Sequence, residues 1–437
     1  MRGKRILIVA YYYFPCNNIA SHRPVSWAKE LKKSGFEPVV ITRHWTGEER
    51  NWNEFASSNK GAMRNFYVDG IRIIYLPYKK YFFQKLFELP ILRDFAVYRF
   101  VVSILAGLFG CFELDRDVNK NFYTYINSLL TAEKFDIIIT TSGPVNCNKL
   151  AYKIKKGHKI LWLADFRDLW DMNMLKSEKR TISAKDKIKY ICHRLYIKKW
   201  IHQADVFLVC SEGFVDPLKS ICPDKEIVII KNGFERDLFK EIDESPSDKF
   251  TILCLGTLYK EQEKKIFAEG VRLFCQGKDM ATIQLKFLGV EVNEAVTNEI
   301  LTLFNREFLV TSPFVSRTEA LREIKKCQIL YYPVWKGYRG VYPGKIFEYL
   351  GAERNILITP GDGFMLDSLL ETTQTGKYAN TPEEVAIYLT EWYLQWRDTG
   401  HVVYKGRKEI IELYTREKQA EVLSDYLLGA GNSSSNK

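Results

Sequence analysis

Runs of Ile, Val and Leu alternate with stretches of helical spacing along most of the chain. "RILIVAYY", from Arg5, is a continuous apolar run. "SHRPVSWAKELKKSG" follows with apolar positions three and four apart and stops at Gly35, and "FEPVVIT" closes a β-α-β unit by residue 42. "DGIRIIYLP" reads as another strand, followed by an aromatic helical region over 81–130. "FDIIITTSGP", the helix "CNKLAYKIKKG", the strand "KILWLADFRD", the basic helix "SAKDKIKYICHRLYIKKWIHQA" and "DVFLVCSEG" continue the alternation. A second series begins near residue 225 with "EIVIIKNGFERDLF", "FTILCLGTLY", "TIQLKFLGV", "EFLVTSPFVS", "KCQILYYPVW" and "NILITPG". Helices lie between or after these strands, ending with "RKEIIELYTREKQAEVLSDYLLGA" and a small polar tail, "GNSSSNK", expected to be disordered.

Unbroken apolar strands alternating with helices predict mostly parallel sheets covered on both faces. The fold class expected is α/β, with two Rossmann-like doubly wound domains facing across a cleft. The boundaries drawn are 1–205 for an N-terminal Rossmann-like domain and 206–400 for a C-terminal Rossmann-like domain. A C-terminal helix over 401–430 is expected to pack back toward the first domain, with a disordered tail over 431–437. Ligands of open α/β sheets bind outside the carboxyl ends of the strands, so the loops there are where chemistry is sought.

Composition narrows the partners. At 437 residues, 46% apolar and 27% charged, the chain has the make-up of a soluble globular protein of more than one domain. Residues 1–200 hold 35 Lys+Arg against 18 Asp+Glu, and the remainder holds 29 against 35. That asymmetry points to an anionic partner on the first half: a phosphorylated substrate or an anionic membrane surface. No zinc-finger, RRM, KH or helix-turn-helix signature is present, so nucleic acid is set aside. The nine cysteines are scattered without C-x-x-C, several inside apolar strands, as reduced core thiols are. The six histidines form no H-x-x-x-H or H-E-x-x-H pair, so neither a metal nor a cofactor is expected. These features favour a cytoplasmic protein, with peripheral attachment to the inner face of the membrane held open. "MRGKRILIVAYYYFP" reads as a first strand rather than a signal peptide. "FAVYRFVVSILAGLFGCF", over 95–112, is just short of a membrane span and reads as a buried or amphipathic helix or a surface dipping into lipid headgroups.

Two segments at strand ends carry candidate chemistry. "YYPVWKGYRGVYPGKIFE" passes Lys336, Arg339 and Gly340 before a helix opens at Pro343–Gly344–Lys345. Backbone N–H groups there suit a phosphate, with Lys345 as cation, while Glu348 lies on the same helix face. The alternative is a surface ion pair on an ordinary helix. "WLADFRDLWD" drives a buried strand into Asp165, Arg167 and Asp168, as a site or as an internal salt bridge finishing the strand. Arg23, in the first strand-to-helix segment, and Ser142 and Gly143, after a buried strand, are candidates for acceptor contact.

These motifs resemble those of GT-B glycosyltransferases related to glycosyltransferase family 4, of a bacterial surface-polysaccharide type. "GKIFEYLGAERNILI", "VVIIKNGFERDLF", "FTILCLGTLY", the opening segment with Arg23, and "FDIIITTSGP" paired with "WLADFRDLWD" follow the family's order, with no match over roughly 45–130. The resemblance implies a retaining, metal-independent transferase of nucleotide-diphosphate sugars acting on a saccharide or lipid-linked acceptor in lipopolysaccharide or capsule synthesis. Glu348 matches the second Glu of E-x7-E, which holds ribose; Gly340 stands where the first should be. Thr257 stands where the family's diphosphate Arg usually is. Lys345 and Gly344, with Lys260, Lys264 or Lys265, are left to hold the diphosphate. Arg167 and Asp168 match the family's His-Asp segment. An Arg is always charged, so Arg167 suits anion holding rather than proton transfer, oriented by Asp165 or Asp168. Two alternatives stay open: a nucleotide-sugar epimerase of the same architecture, and a non-catalytic subunit of a polysaccharide assembly complex.

Overall fold

The computed structural model describes residues 3–16, 18–49, 62–78, 82–92, 94–111, 118–143, 145–169, 184–240, 242, 245–338 and 340–433. Contacts divide the chain into two α/β units at Lys231/Asn232, and the chain from Ala420 onward rejoins the first.

The first unit is built on an eight-stranded sheet. Its strands are β1 (Arg5–Val9), β2 (Glu37–Arg43), β3 (Arg64–Val68), β4 (Ile71–Leu76), β5 (Ile137–Thr141), β6 (Leu161–Phe166), β7 (Val206–Val209) and β8 (Glu226–Ile229). They run in the order β3-β4-β2-β1-β5-β6-β7-β8. Every pairing is parallel except β3 with β4, so helices cover both faces and the inner strands are apolar throughout. The strand order reverses between β1 and β5.

Two features differ from the sequence pattern. β3 is exposed at all five positions, so no inward-outward alternation marks it; the Asp69–Gly70 turn, both residues at positive φ, closes its hairpin. The strand Glu226–Ile229, which the pattern placed in the second series, pairs with β7 and forms the edge of the first sheet. β7 likewise pairs with β6, which is why the division falls beyond residue 205.

The second unit has six parallel strands: β9 (Phe250–Leu255), β10 (Ile283–Leu288), β11 (Leu309–Ser312), β12 (Ile329–Pro333), β13 (Asn355–Thr359) and β14 (Gly376–Tyr378). Their order is β11-β10-β9-β12-β13-β14, reversing between β9 and β12. Reversals of this kind open a crevice at the carboxyl ends of the two strands. The loops after β9 and β12 are strapped together there. Glu263 N–H donates to Val334 O (2.9 Å), Lys336 N–H to Glu261 O (2.9 Å), and Gln262 Nε2 to Pro333 O (2.8 Å). Tyr259 packs against Trp335 across the strap, ring centroids 4.9 Å apart and planes tilted by 32°.

The aromatic region after β4 contains the helices Phe82–Phe87 and Ala96–Leu108. The second has 13 residues, so it is about 20 Å long against a hydrocarbon layer of about 30 Å. No helix among the described residues is long and apolar enough to cross a membrane.

The C-terminal segment is two helices, Lys408–Glu412 and Arg416–Ser433, rather than one. The break lies where Phe234 N–H donates to Tyr414 O (3.2 Å) and Arg416 N–H to Phe234 O (2.9 Å). Gly233 permits this approach, since a Cβ there would lie 2.6 Å from Tyr414 O. Ala420, Leu423 and Leu427 then enter the core of the first unit beside Ile6, Ile8 and Leu208. Leu423 is fully buried. Leu423→Ala should therefore cost about 2–5 kcal/mol, read from the shift of the first unit's transition in urea unfolding.

Candidate functional site

At the end of β6 the three charges separate into two levels. Asp165 is 0% exposed, and its carboxylate accepts from Arg23, itself 4% exposed, at 2.9 Å (Nη2) and 3.2 Å (Nε). Arg23 Nη1 donates to Ile230 O (2.5 Å) and Lys231 O (3.2 Å), and the guanidinium lies 4.4 Å over the Trp27 ring. The partner of Asp165 is thus Arg23, in the first turn of the helix His22–Lys33, and not Arg167. Both side chains sit below the surface and are engaged with each other, which corrects the roles expected for Arg23 in acceptor contact and for Asp165 in orienting Arg167.

Arg167 and Asp168 lie beyond the strand. Arg167 Nη2 bonds Asp168 Oδ2 at 2.5 Å, and the Asp168 side chain is 57% exposed. The guanidinium packs onto Gly143. That glycine has φ +112°, and a Cβ there would lie 2.8 Å from Nη2. Arg167 Nε is buried and has no hydrogen-bond partner among the described residues. Ser142 N–H donates to Asp165 O (2.8 Å) and Ser142 Oγ approaches Asp168 O at 3.4 Å. Cys210 Sγ donates to Arg167 O (3.0 Å); burial pushes its thiol up to about 12, so it is no nucleophile. Arg167, Asp168, Gly143 and the buried Ser142 therefore form one cluster at the ends of β5 and β6, with Arg23–Asp165 beneath it.

In the second unit the crevice between β9 and β12 gathers Gly256, Thr257, Gly344, Lys345 and Glu348. Pro343 caps the helix Gly344–Gly351, and the amides of Gly344 and Lys345 have no acceptor among the described residues. Tyr349, on the buried face, accepts from Leu255 N–H (3.0 Å) and fixes the helix to the end of β9. Lys345 reaches across that end. Its Nζ donates to Thr257 O (3.0 Å), and it lies 2.8 Å from where a Gly256 Cβ would be, at φ +80°. Burial lowers the Lys345 pKa from the ordinary lysine value; the neighbouring Cys254 and Glu348 oppose the shift. Glu348 acts electrostatically on Arg416 as well as on Lys345. Arg416, in the last helix, carried no motif and could not be picked out from sequence.

Which lysine is available follows from counting donors. An ammonium has three N–H groups. Lys264 spends all three, on Tyr259 O (3.1 Å), Gln262 O (2.8 Å) and Glu299 Oε2 (3.2 Å), and is buried as part of its own loop. Lys345 spends one. Lys260 and Lys265 project into solvent, and Arg339 lies outside the described residues. Gly340, in place of the family's first Glu, has φ +76°, a conformation that a residue with a side chain adopts only under strain.

No family model and no curated protein matches the chain. Solved structures do. Sucrose-phosphate synthase (tll1590) from Thermosynechococcus elongatus superposes over 98% of this chain and 100% of its own, with TM-score 0.61 and 11% identity. An α,α-trehalose-phosphate synthase (UDP-forming) from Burkholderia vietnamiensis covers 99% and 100%, with TM-score 0.58 and 10% identity. Anabaena HepE, in complex with UDP and glucose, covers 98% and 100%, with TM-score 0.55 and 9% identity. The fold is GT-B. It comprises two Rossmann-like domains of the kind these glycosyltransferases share.

The two levels at the end of β6 separate by experiment. Asp165→Ala strands the buried Arg23 cation and should cost about 3–5 kcal/mol in urea unfolding. Asp168→Ala, exposed at the surface, should change stability by no more than about 1 kcal/mol.

Proposed function

We propose that the chain is a retaining glycosyltransferase that moves a sugar from a nucleotide-diphosphate donor to a saccharide or lipid-linked acceptor. The carrying observation is Lys345. It is a half-buried cation with two unspent donors, packed against Gly256 beside two free helix-N-terminal amides, where the strand order of an α/β sheet reverses. Such a group meets the diphosphate as its charge grows during departure from the sugar, and pre-placed charge of this kind is what lowers the barrier. Glu348, one turn along, accepts from ribose hydroxyls. HepE, in complex with UDP and glucose, and the UDP-forming trehalose-phosphate synthase support a donor of this class through a shared fold.

In this reading the Arg167–Asp168 cluster of the first unit holds the acceptor. Arg167 takes an anionic group and Asp168 orients it, with no proton transfer asked of the guanidinium. Retention follows if the acceptor attacks the face from which the diphosphate leaves, a geometry needing position and charge rather than an enzymic nucleophile. The setting proposed is the cytoplasmic synthesis of surface polysaccharide, with Lys345 and the helix amides supplying the positive charge at the diphosphate.

A thermal-shift screen of nucleotide-diphosphate sugars should find a donor that raises the melting temperature by mass action. Lys345→Met and Glu348→Ala should each weaken its binding about tenfold or more. A panel in which no nucleotide sugar shifts the wild type would remove the donor site. Product analysis without acceptor distinguishes transfer, which leaves the donor sugar unchanged, from epimerisation.

The lowered pKa gives a second test. The diphosphate binds the charged amine, so affinity should be flat at low pH and fall as pH rises through a pKa below the ordinary lysine value. Lys345→Met should abolish that fall in calorimetric titrations.

A further inference from the structure

The first unit carries an apolar surface that neither crevice uses. The helix Ala96–Leu108 turns Val102, Ala106 and Gly107 inward, while Val97, Val101, Leu105 and Leu108 remain 75%, 47%, 41% and 53% exposed. With 3.6 residues per turn these four lie in a stripe about 80° wide. Folding therefore leaves a continuous hydrophobic face in water.

The helix Ala184–Ile201 packs against the C-terminal end of this element. Tyr196 OH donates to Leu108 O, and a Cβ on Gly110 would lie 2.9 Å from the Tyr196 ring. On this second helix Ile191 and Leu195, four residues apart, are also exposed. Their neighbours Arg194, Lys198 and Lys199 are exposed too. Residues 79–111 contain five Lys+Arg and two Asp+Glu, and residues 184–201 contain six and one. The apolar face is thus set in strongly basic elements.

That pairing selects the occupant. A second copy of this chain would bring like charges together, which opposes association. A bilayer with anionic headgroups offers an apolar layer beneath a negative surface, and it matches both features at once. We propose that this face is a monotopic docking surface for an anionic lipid bilayer, the helix Ala96–Leu108 lying in the plane of the headgroups. The surface deepens the reading of a lipid-linked acceptor but does not depend on it, because vesicle binding is measured without donor or transfer.

The test is flotation of the full chain with phosphatidylcholine vesicles and with phosphatidylcholine–phosphatidylglycerol vesicles. The wild type should float with the anionic vesicles at low salt and be released at high salt. Val101→Glu with Leu105→Glu should lower partitioning about tenfold or more, with the melting temperature unchanged, because both positions face solvent. Lys198→Glu with Lys199→Glu should weaken binding to the anionic vesicles alone. Failure of the wild type to float, equal flotation on both compositions, or undiminished binding by the Val101/Leu105 variant would each overturn the proposal. So would a wild-type dimer in sedimentation that this variant dissociates.

Discussion

The buried pair of Arg23 and Asp165 is the constraint on which the first unit turns. It joins three segments far apart in sequence: the start of the first long helix, the end of β6, and the place where the chain leaves the first sheet. Two charges removed from water are costly, and their attraction offsets the cost only when the remaining donors also find acceptors. Arg23 meets that condition by donating to Ile230 and Lys231 carbonyls and by lying on Trp27. The same bonds supply partners for backbone oxygens just past the end of β8. Removing either charge would strand the other and release the chain exit together.

A second regularity links the crevices. In each unit a cation lies flat on a glycine at the end of a strand that borders the chain reversal. Arg167 rests on Gly143 after β5, and Lys345 on Gly256 after β9. Both glycines have positive φ, and in both a Cβ would lie 2.8 Å from a cationic nitrogen. The missing side chain therefore does two things at once. It lets the backbone turn sharply, and it lets a charged group descend to the strand end, where partial burial strengthens electrostatic interactions.

Much of the fold was legible because strands covered on both faces read as unbroken apolar runs, as in β1, β5 and β9. β8 was misplaced because it is short and at an edge, and its membership depends on pairing with β7 that no local pattern records. The break between the two C-terminal helices escaped for a similar reason: its cause is the backbone of Phe234. Around the crevice of the second unit, the Pro–Gly helix start marked Lys345 and Glu348 as candidates from the sequence alone. The partner of Asp165 was not legible, since it lies 142 positions away. Composition showed that the first half was basic, but exposure alone revealed which helix turned its apolar face outward.

Lys264 and Lys345 of the second unit, one buried and one half-buried, show why local sequence could not choose between them. Lys264 and Lys345 are the same residue type near the same loop, and both lose hydration on folding. Lys264 recovers its loss with two carbonyls and a carboxylate, so an added anion would have to displace a partner. Lys345 recovers only part, through one carbonyl at hydrogen-bond distance and the longer-range charge of Glu348. Its remaining N–H groups have no protein partner, and partial burial limits the water that can replace one, which costs the folded chain some stability. An anion in the crevice would relieve that cost and hold the amine in its charged form. Of these two lysines the less satisfied, Lys345, is therefore the one that would gain more from the proposed diphosphate, and the Gly256 backbone is what lets it reach the strand end.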